Sequence, residues 1–164
     1  MKTSRSLFSV NEVLKLYSSG PVTGIFTDGS CIGNPGPGGW GSVYVQDDKI
    51  IDQVFGNSGD TTNNQMELTA LLAGIELTDE SSKVSIYTDS QLLVNTFNKW
   101  ASNWEAMGWK RKAGPIKNLE LIKKIYVLFQ ARKDVDILWI PAHSGYKWNE
   151  YADSLSTAYL RDVL

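Results

Sequence analysis

The sequence is poor in the residues that build disulfides and zinc sites. Its 164 residues include one cysteine, Cys31, and one histidine, His143. A single cysteine forms no internal disulfide, and one thiol with one imidazole gives too few ligands for zinc. We therefore expect neither a disulfide scaffold nor a zinc protein.

Long apolar runs are also missing. No run approaches the roughly 20 apolar residues that a membrane-spanning helix needs. The first residues lack the basic start, apolar stretch and small-residue cleavage site of a signal peptide. We therefore expect a cytoplasmic protein with no membrane association. The length and the 42% hydrophobic content suit one domain with its own core.

The net charge is only −2, but the charges are distributed unevenly. Between Lys99 and Lys133 the chain has nine Lys or Arg residues and two acidic residues, so the rest of the chain is strongly acidic. The same segment contains Trp100, Trp104 and Trp109. Cationic side chains beside aromatic rings suit a polynucleotide, although a solvated helix face would carry similar charges.

The hydrophobic pattern predicts an α/β fold with a mixed five-stranded sheet flanked by helices. An antiparallel meander forms one side of this sheet, and parallel crossover strands form the other. The predicted strands cover residues 23–28, 40–46, 50–56, 84–89 and 135–140. The predicted helices start near Asn64, run from Gln91 to about Ala131 with a break around Gly108 to Pro115, and start again near Asn149.

A short helix is predicted before the first strand. Ser9 and Glu12 have the spacing of a capping box, and Gly20 with Pro21 then interrupts the chain. We therefore divide the sequence into an N-terminal extension, residues 1–22, and one domain, residues 23–164.

Two of the predicted strands end in an aspartate, Asp28 and Asp89. If these strands are parallel neighbours, about 4.8 Å apart, the two carboxylates lie side by side where open α/β sheets bind ligands. That separation suits a pair of metal ions bridging a phosphate, which lie about 3.5 to 4 Å apart. Either aspartate alone would more often begin a turn or cap a helix.

Two further acidic residues, Glu67 and Asp153, are predicted near helix starts. Both have a purely structural explanation. Asn64 as an N-cap with Glu67 three residues later forms a capping pair, and any acid near a helix start is stabilised by the helix dipole. Taken singly, each residue favours capping over metal binding.

Convergence of all four carboxylates would require cations. Like charges 4 Å apart cost about 1 kcal/mol in water and about 4 kcal/mol at an effective dielectric of 20. Several such pairs rival the stability of a domain, about 5 to 15 kcal/mol. Hard Mg²⁺, which prefers oxygen ligands, suits these residues. His143, in a loop after the last strand, could then move protons near neutral pH, whereas a solitary loop histidine is otherwise merely solvated.

Five motifs follow one another between about residues 23 and 160. They are Thr-Asp-Gly-Ser, Asn-Pro-Gly-Pro-Gly-Gly, Thr-Thr-Asn-Asn-x-Met-Glu-Leu, Thr-Asp-Ser-Gln, and His-x-Gly with Asn-Glu-x-Ala-Asp. The set resembles the type 1 ribonuclease H (ribonuclease HI) family, which includes cellular enzymes and a domain of retroviral reverse transcriptases. The resemblance implies a ribonuclease H-like fold. It also implies a metal-dependent endonuclease that hydrolyses the RNA strand of RNA/DNA hybrids, giving 5′-phosphate and 3′-hydroxyl ends.

The resemblance also implies roles for the acidic residues. Asp28, Glu67, Asp89 and Asp153 would bind two Mg²⁺ ions, with Mn²⁺ as a possible substitute, and His143 would assist proton transfer and product release. Glu67 and Asp153 are then ligands rather than caps, although Glu67 could do both. The expected partner is the hybrid duplex. We expect a monomer with no obligatory protein partner.

Two groups of substrate contacts are implied as well. The contacts expected along the RNA strand, where short polar groups can hydrogen-bond a 2′-hydroxyl, are Cys31, Asn34, Asn63, Asn64 and Gln91. The contacts expected along the DNA strand are Trp100, Asn103 and Trp104, with Thr62 at a phosphate. Turn formation is the competing explanation for the first group, and core packing for the tryptophans.

The chain departs from the family pattern in three places. Glu105 to Met107 stand where the family has a basic segment, called the basic handle, that binds substrate. This departure concerns the affinity for substrate and not the chemical step. Ala142 replaces the glycine that many cellular members have before the histidine. Residues 1–22 have no counterpart in the most compact members, and we assign them no function.

Three other functions stay open. A noncatalytic binding module could share the fold, but the four acidic residues argue against it. A related nuclease acting on DNA would share the metals, but Asn34, Asn63 and Asn64 favour a hybrid. An unrelated phosphatase could also begin at a strand-end aspartate, although Thr27 to Ser30 does not complete a nucleophilic carboxylate motif.

Overall fold

The computed structural model describes residues 8–164, in which five strands form one mixed sheet. β1 to β3 pair in antiparallel, and β4 and β5 extend the sheet from β1 in parallel, in the order β3-β2-β1-β4-β5. The strands are β1 (Gly24–Cys31), β2 (Gly36–Gln46), β3 (Lys49–Thr61), β4 (Val84–Thr88) and β5 (Val135–Trp139). The predicted mixed five-stranded α/β fold is confirmed.

Helices flank this sheet. They are α1 (Val10–Leu16), α2 (Asn63–Ile75), α3 (Gln91–Asn95), α4 (Ala101–Ala106), α5 (Leu119–Ala131) and α6 (Lys147–Ser156). A π-helical turn, Thr96–Trp100, joins α3 to α4, and a 3₁₀ turn, Ala158–Leu160, follows α6. The predicted break lies between α4 and α5. Within residues 8–164, no helix combines the length and apolar character needed to cross a membrane.

The two faces of the sheet bury separate apolar clusters. Ile25 and Phe26 are neighbours on β1 and both are fully buried, but the pleat directs their side chains to opposite faces. Ile25 packs in a cluster with Leu71 of α2 and Ile125 of α5, whereas Phe26 packs with residues of α1 and α6 such as Leu155. The fold therefore has three layers, with β1 in the centre of the middle layer.

The sequence predicts no strand over residues 29–39, and this is wrong for most of them, because β1 continues past Asp28 to Cys31. β2 begins at Gly36 rather than Trp40, because Gly38 and Gly39 pair with Cys31 and Ser30 of β1. A methyl group on Gly39 would lie 2.0 Å from the carbonyl oxygen of Ser156. Gly39 therefore lets the end of α6 approach β2 closely. A strand of glycines has no hydrophobic pattern to recognise.

The predicted N-terminal helix is present as α1. Ser9 Oγ accepts a hydrogen bond from the amide of Glu12 (3.2 Å), and the Glu12 carboxylate accepts one from the amide of Ser9 (3.0 Å), which completes the capping box. Val10 and Val13 of α1 are buried against α6. Residues 1–7 of the predicted extension lie outside the described residues.

Candidate active site

The site begins where the parallel pairing of β1 with β4 ends. Thr27 of β1 pairs with Thr88 of β4, so Asp28 and Asp89 follow at the same level of the sheet. Asp28 is 1% exposed and Asp89 is half-buried. The predicted parallel pairing of these two strands is confirmed, and it places both carboxylates at one edge.

Glu67 reaches the same edge from the second turn of α2. The backbone amide of Gly29 donates to Oδ1 of Asp28 (3.0 Å) and also to Oε1 of Glu67. Ligand oxygens of Asp28, Glu67 and Asp89 all lie within 4.8 Å of one another. Three acidic residues from separate stretches of the chain therefore converge.

Glycine at position 29 makes this convergence possible. A methyl group there would lie 2.4 Å from the backbone nitrogen of Glu67 and 2.5 Å from the carbonyl carbon of Met66. Both are backbone atoms, so no change of side-chain rotamer could relieve the contact. β1 and the N-terminal part of α2 consequently approach each other as closely as Glu67 requires.

The capping explanation for Glu67 is wrong. The N-cap of α2 is Thr62, not Asn64, and its Oγ1 accepts a hydrogen bond from the amide of Gln65 (3.1 Å). The amide of Asn63 is satisfied by Oδ1 of Asn34, at 2.9 Å. Glu67 therefore lies beyond the capping positions. Its 4% exposure is explained by the packing of α2 on β1 instead.

Asp153 belongs to a second group rather than to the first three carboxylates. Ligand atoms of His143, Glu150 and Asp153 all lie within 4.8 Å of one another. Asp153 was also predicted near a helix start, which is wrong, because α6 begins at Lys147 and Asp153 is in its second half. The amide of Lys147 donates to the carbonyl of Ser19 (2.9 Å), a distant contact that no local pattern indicates.

Asp28 of the first group lies on the face of β1 that packs against α6, the helix that carries Glu150 and Asp153. The pleat that turns Ile25 towards α2 turns Asp28 towards α6. Two residues further on, Ser30 Oγ donates to the carbonyl of Ser156 (3.2 Å), which shows that this face of β1 meets α6 close to Asp153. The site is therefore bounded by β1, β4, the start of α2 and one face of α6.

Glu150 is a site residue that the sequence reasoning missed. It is 3% exposed, its Oε1 lies 3.9 Å from Nδ1 of His143, and its Oε2 accepts a hydrogen bond from the amide of Gly145 (3.3 Å). His143 itself has a positive φ of 52°, which is costly for a residue other than glycine. The spacing of Glu150 and Asp153, three residues apart on one helix face, was the available signal.

Electrostatic repulsion dominates the group of three carboxylates. At a separation of about 4 Å each like-charged pair costs between about 1 kcal/mol in water and about 4 kcal/mol at an effective dielectric of 20, the higher cost applying to the buried pair Asp28 and Glu67. Three pairs add up to roughly the whole stability of a domain, so this group requires protons or cations. Its ligands are oxygens only, which fits Mg²⁺ or a similar hard ion.

The residues expected along the RNA strand are at least partly exposed, with one exception. Asn34 and Gln91 are exposed, and Asn63 and Asn64 are half-buried on the first turn of α2. Cys31 is only 4% exposed, and its thiol donates to the carbonyl oxygen of Thr61 (Sγ to O, 3.4 Å). Burial also raises the pKa of this thiol. The structure thus places Cys31 between strands rather than on the surface.

The residues expected along the DNA strand lie on α4 and the π-helical turn before it. The rings of Trp100 and Trp104 are 6.2 Å apart, and the guanidinium of Arg111 lies 5.9 Å from the centre of the Trp104 ring. Trp100 is 38% exposed, and Asn103 is exposed. Trp104 is half-buried against the α2 and α5 cluster, so core packing explains part of its position.

One cleft at the sheet lies away from these groups. A cleft of about 460 Å³ lies at the opposite ends of β1, β4 and β5 and is lined by Lys83 and Lys133, among others. None of the four predicted metal ligands lines it.

These features define an α/β protein with an acidic, cation-demanding centre at the carboxyl ends of its central strands. The RNase H family profile matches residues 21–161, and the chain belongs to that family. Ribonuclease HI of Caulobacter vibrioides is 42% identical over 144 residues, which cover 87% of this chain and 95% of that protein.

Solved structures agree with this assignment. RNase H1 from Halobacterium salinarum NRC-1 is 28% identical with a TM-score of 0.60, over 85% of this chain and 97% of that one. LC11-RNase H1, solved in complex with an RNA/DNA hybrid, is 26% identical with a TM-score of 0.60, over 81% of this chain and 92% of that one. The predicted family and fold are confirmed.

Proposed function

We propose that this chain is an endoribonuclease that hydrolyses the RNA strand of RNA/DNA hybrids with the help of two divalent metal ions. The convergence of Asp28, Glu67 and Asp89 within 4.8 Å carries the proposal. Membership of the RNase H family supports it, as does the hybrid bound to LC11-RNase H1.

Asp28, Glu67, Asp89 and Asp153 are the residues that would hold the ions, with Mg²⁺ as the first candidate and Mn²⁺ as a substitute. When bound, the ions supply an activated water and stabilise the leaving 3′ oxygen. The amide of Gly29, which donates to both Asp28 and Glu67, orients these two carboxylates before any ion arrives.

His143 and Glu150 act beside the ions. The imidazole of His143 exchanges a proton with the leaving group or with solvent, a task for which histidine is suited near neutral pH. The buried Glu150 carboxylate, 3.9 Å from Nδ1 of His143, orients the ring. His143 therefore speeds turnover but is not required for the phosphodiester to be attacked.

Selectivity for RNA is assigned to the residues around the start of α2. Oδ1 of Asn34 accepts a hydrogen bond from the amide of Asn63 (2.9 Å), so the turn before β2 and the first turn of α2 form one polar surface. Asn63 precedes Glu67 by four residues on the same helix. Amide side chains on such a surface can hydrogen-bond a 2′-hydroxyl in the minor groove. Gln91 completes this surface, and Thr62 contacts a phosphate.

The surface around α4 is assigned to the DNA strand. Trp100, Asn103 and Trp104 line it, and the cation of Arg111 stacks on Trp104 within 5.9 Å. Lys123 Nζ lies 5.7 Å from the centre of the Trp109 ring, which extends the same combination of charge and aromatic area. Binding should be largely independent of sequence and should weaken as salt increases.

The test is cleavage of matched duplexes by the purified protein. Labelled RNA/DNA, RNA/RNA and DNA/DNA duplexes of one sequence are incubated with Mg²⁺ or with EDTA. We expect cleavage of the RNA strand in RNA/DNA only, with Mg²⁺ only, leaving 5′-phosphate ends. Cleavage of DNA/DNA, or cleavage in EDTA, would contradict the proposal.

A pair of variants separates binding from chemistry. Asp89→Asn should abolish cleavage and retain hybrid binding, because it removes a proposed ligand and leaves the polar surfaces intact. Asp136→Asn, an exposed acid on β5, serves as the control and should cleave like the unmodified chain. Undiminished turnover by Asp89→Asn would reject the ligand role of Asp89.

The preferred metal ion, the oligomeric state and the cellular location stay predictions. Mg²⁺ as the preferred ion is supported by the all-oxygen ligand set and would be tested by comparing Mg²⁺ with Mn²⁺ in the same assay. The monomeric state, the absence of an obligatory protein partner, the location in the cytoplasm and the division at residue 22 are predictions from the sequence.

A further inference from the structure

The N-terminal segment Phe8–Gly20 pairs with the chain that follows His143. Ser19 Oγ donates to the carbonyl oxygen of Gly145 (2.9 Å), and the amide of Lys147 donates to the carbonyl oxygen of Ser19 (2.9 Å). Ser19 and Tyr146 thereby form a short parallel bridge. Ser19 and Gly145 are 126 positions apart, so this contact is tertiary and not a local turn.

The two segments are in close contact, although Ser19 and Gly20 are themselves exposed. Gly20 has a φ of 93°, and a methyl group on it would lie 2.8 Å from Cβ and Cγ of Tyr146. A methyl group on Gly145 would lie 3.8 Å from the ring of Tyr17. The segment therefore occupies the space into which the loop would otherwise move.

Both backbone polar groups of Gly145 form hydrogen bonds. Its carbonyl accepts the Ser19 hydroxyl, and its amide donates to Oε2 of Glu150 (3.3 Å). The other carboxylate oxygen of Glu150 lies 3.9 Å from Nδ1 of His143. Ser19 is thus connected to His143 by two intermediate groups, the backbone of Gly145 and the carboxylate of Glu150.

The segment is itself anchored on α6. Val13 of α1 is 2% exposed and packs in one cluster with Trp148 and Tyr151. Ser154 Oγ donates to the carbonyl of Phe8 (2.5 Å). Because α6 also carries Glu150 and Asp153, the segment and the site share one rigid support.

We propose that the segment Phe8–Gly20 is a positioning element for the His143 loop and that Ser19 is its positioning residue. Its effect on turnover rests on the proposed function, whereas its effect on the loop does not. His143 holds a positive φ of 52°, a backbone conformation that persists only where its surroundings impose it. The segment supplies part of that restraint.

The first test measures the loop without any substrate. His143 is the only histidine, so its imidazole carbon-bound protons give a single set of NMR signals. Ser19→Ala should shift and broaden these signals, because the loop samples more conformations. Ser19→Thr, which keeps the hydroxyl, and Ser18→Ala, a change at the exposed neighbour, should leave them as in the unmodified chain. Unchanged His143 signals in Ser19→Ala would overturn the proposal.

The second test is a double-mutant cycle on hybrid cleavage. Ser19→Ala should lower kcat about two- to fivefold, the effect of losing one neutral hydrogen bond, with little change in KM. In the His143→Ala background Ser19→Ala should have no further effect, because the loop then has no proton carrier to position. An equal loss in both backgrounds would show a general effect on folding and would refute the positioning role. If the unmodified chain cleaves no hybrid, the proposed function fails, and the NMR comparison still decides the positioning role.

Discussion

Replacing Gly29 by alanine perturbs the site without removing any functional group. The added methyl group would lie 2.4 Å from the nitrogen of Glu67, whereas an ordinary contact begins near 3.4 Å. The start of α2 must therefore move away from β1 by about 1 Å. Glu67 moves with it, while Asp28 and Asp89 stay on the sheet.

The expected magnitudes differ for stability and catalysis. Overpacking of this kind costs typically about 1 to 3 kcal/mol of folding free energy. For a chain of this size each kcal/mol lowers Tm by about 2 to 4 °C. A misplacement of about 1 Å at a reacting centre costs about 100-fold in rate. We therefore expect a folded protein with a moderately lower Tm and a large loss of kcat.

The measurement compares Gly29→Ala with Gly59→Ala, whose added methyl group meets no atom within 4 Å. Melting curves and hybrid cleavage at saturating substrate are recorded for both. Gly59→Ala should keep its kcat, and Gly29→Ala should lose about two orders of magnitude while remaining folded at the assay temperature. Full kcat in Gly29→Ala would refute the claim that close approach of α2 and β1 places Glu67.

Two further predictions address the rest of the site. His143→Ala should slow turnover and leave residual activity, because His143 moves a proton and holds no ion; complete inactivity in single-turnover kinetics would show a larger role. Hydrogen bonds from Lys147 and Trp148 lower the pKa of Asp48, so this carboxylate stabilises the start of α6 at neutral pH and loses that effect as the pH falls through its lowered pKa. Asp48→Asn should therefore lower the free energy of urea unfolding at pH 7 by up to about 1 kcal/mol, and this difference should shrink as the pH falls through the lowered pKa of Asp48; a difference that does not change with pH would contradict this.

The central part of the site could be predicted from the sequence because strand ends are easy to recognise. Ile25 to Thr27 and Ile86 to Thr88 are short apolar strands followed by Asp28 and Asp89, and parallel pairing places such residues together. The motif around Glu67 indicated the third carboxylate only through family resemblance. Its local sequence favoured a cap, because Thr62 and Asn64 are both good N-cap residues.

Long-range contacts account for what the sequence did not indicate. The start of α6 is fixed by Ser19 and by Asp48, which lie far from Lys147 in the chain. The first amides of α2 donate hydrogen bonds to two side chains, those of Thr62 and of the distant Asn34. Gly38 and Gly39 form a strand because they pair with Cys31 and Ser30 of β1, and Gly39 also lies against the end of α6. The local pattern of apolar residues indicates none of these three arrangements.

The proposed metal site depends most on repulsion among Asp28, Glu67 and Asp89, and Asp89→Asn tests this repulsion directly. The substitution removes two of the three like-charged pairs; because Asp89 is half-buried, we take the lower end of the expected range, about 1 kcal/mol per pair. In EDTA, Asp89→Asn should be more stable to urea than the unmodified chain by about 2 kcal/mol, and Mg²⁺ should stabilise the unmodified chain far more than the variant. Asp136→Asn should differ from the unmodified chain by less than about 0.5 kcal/mol in either condition. An Asp89→Asn protein that is less stable in EDTA, together with an unmodified chain that does not respond to Mg²⁺, would contradict the account.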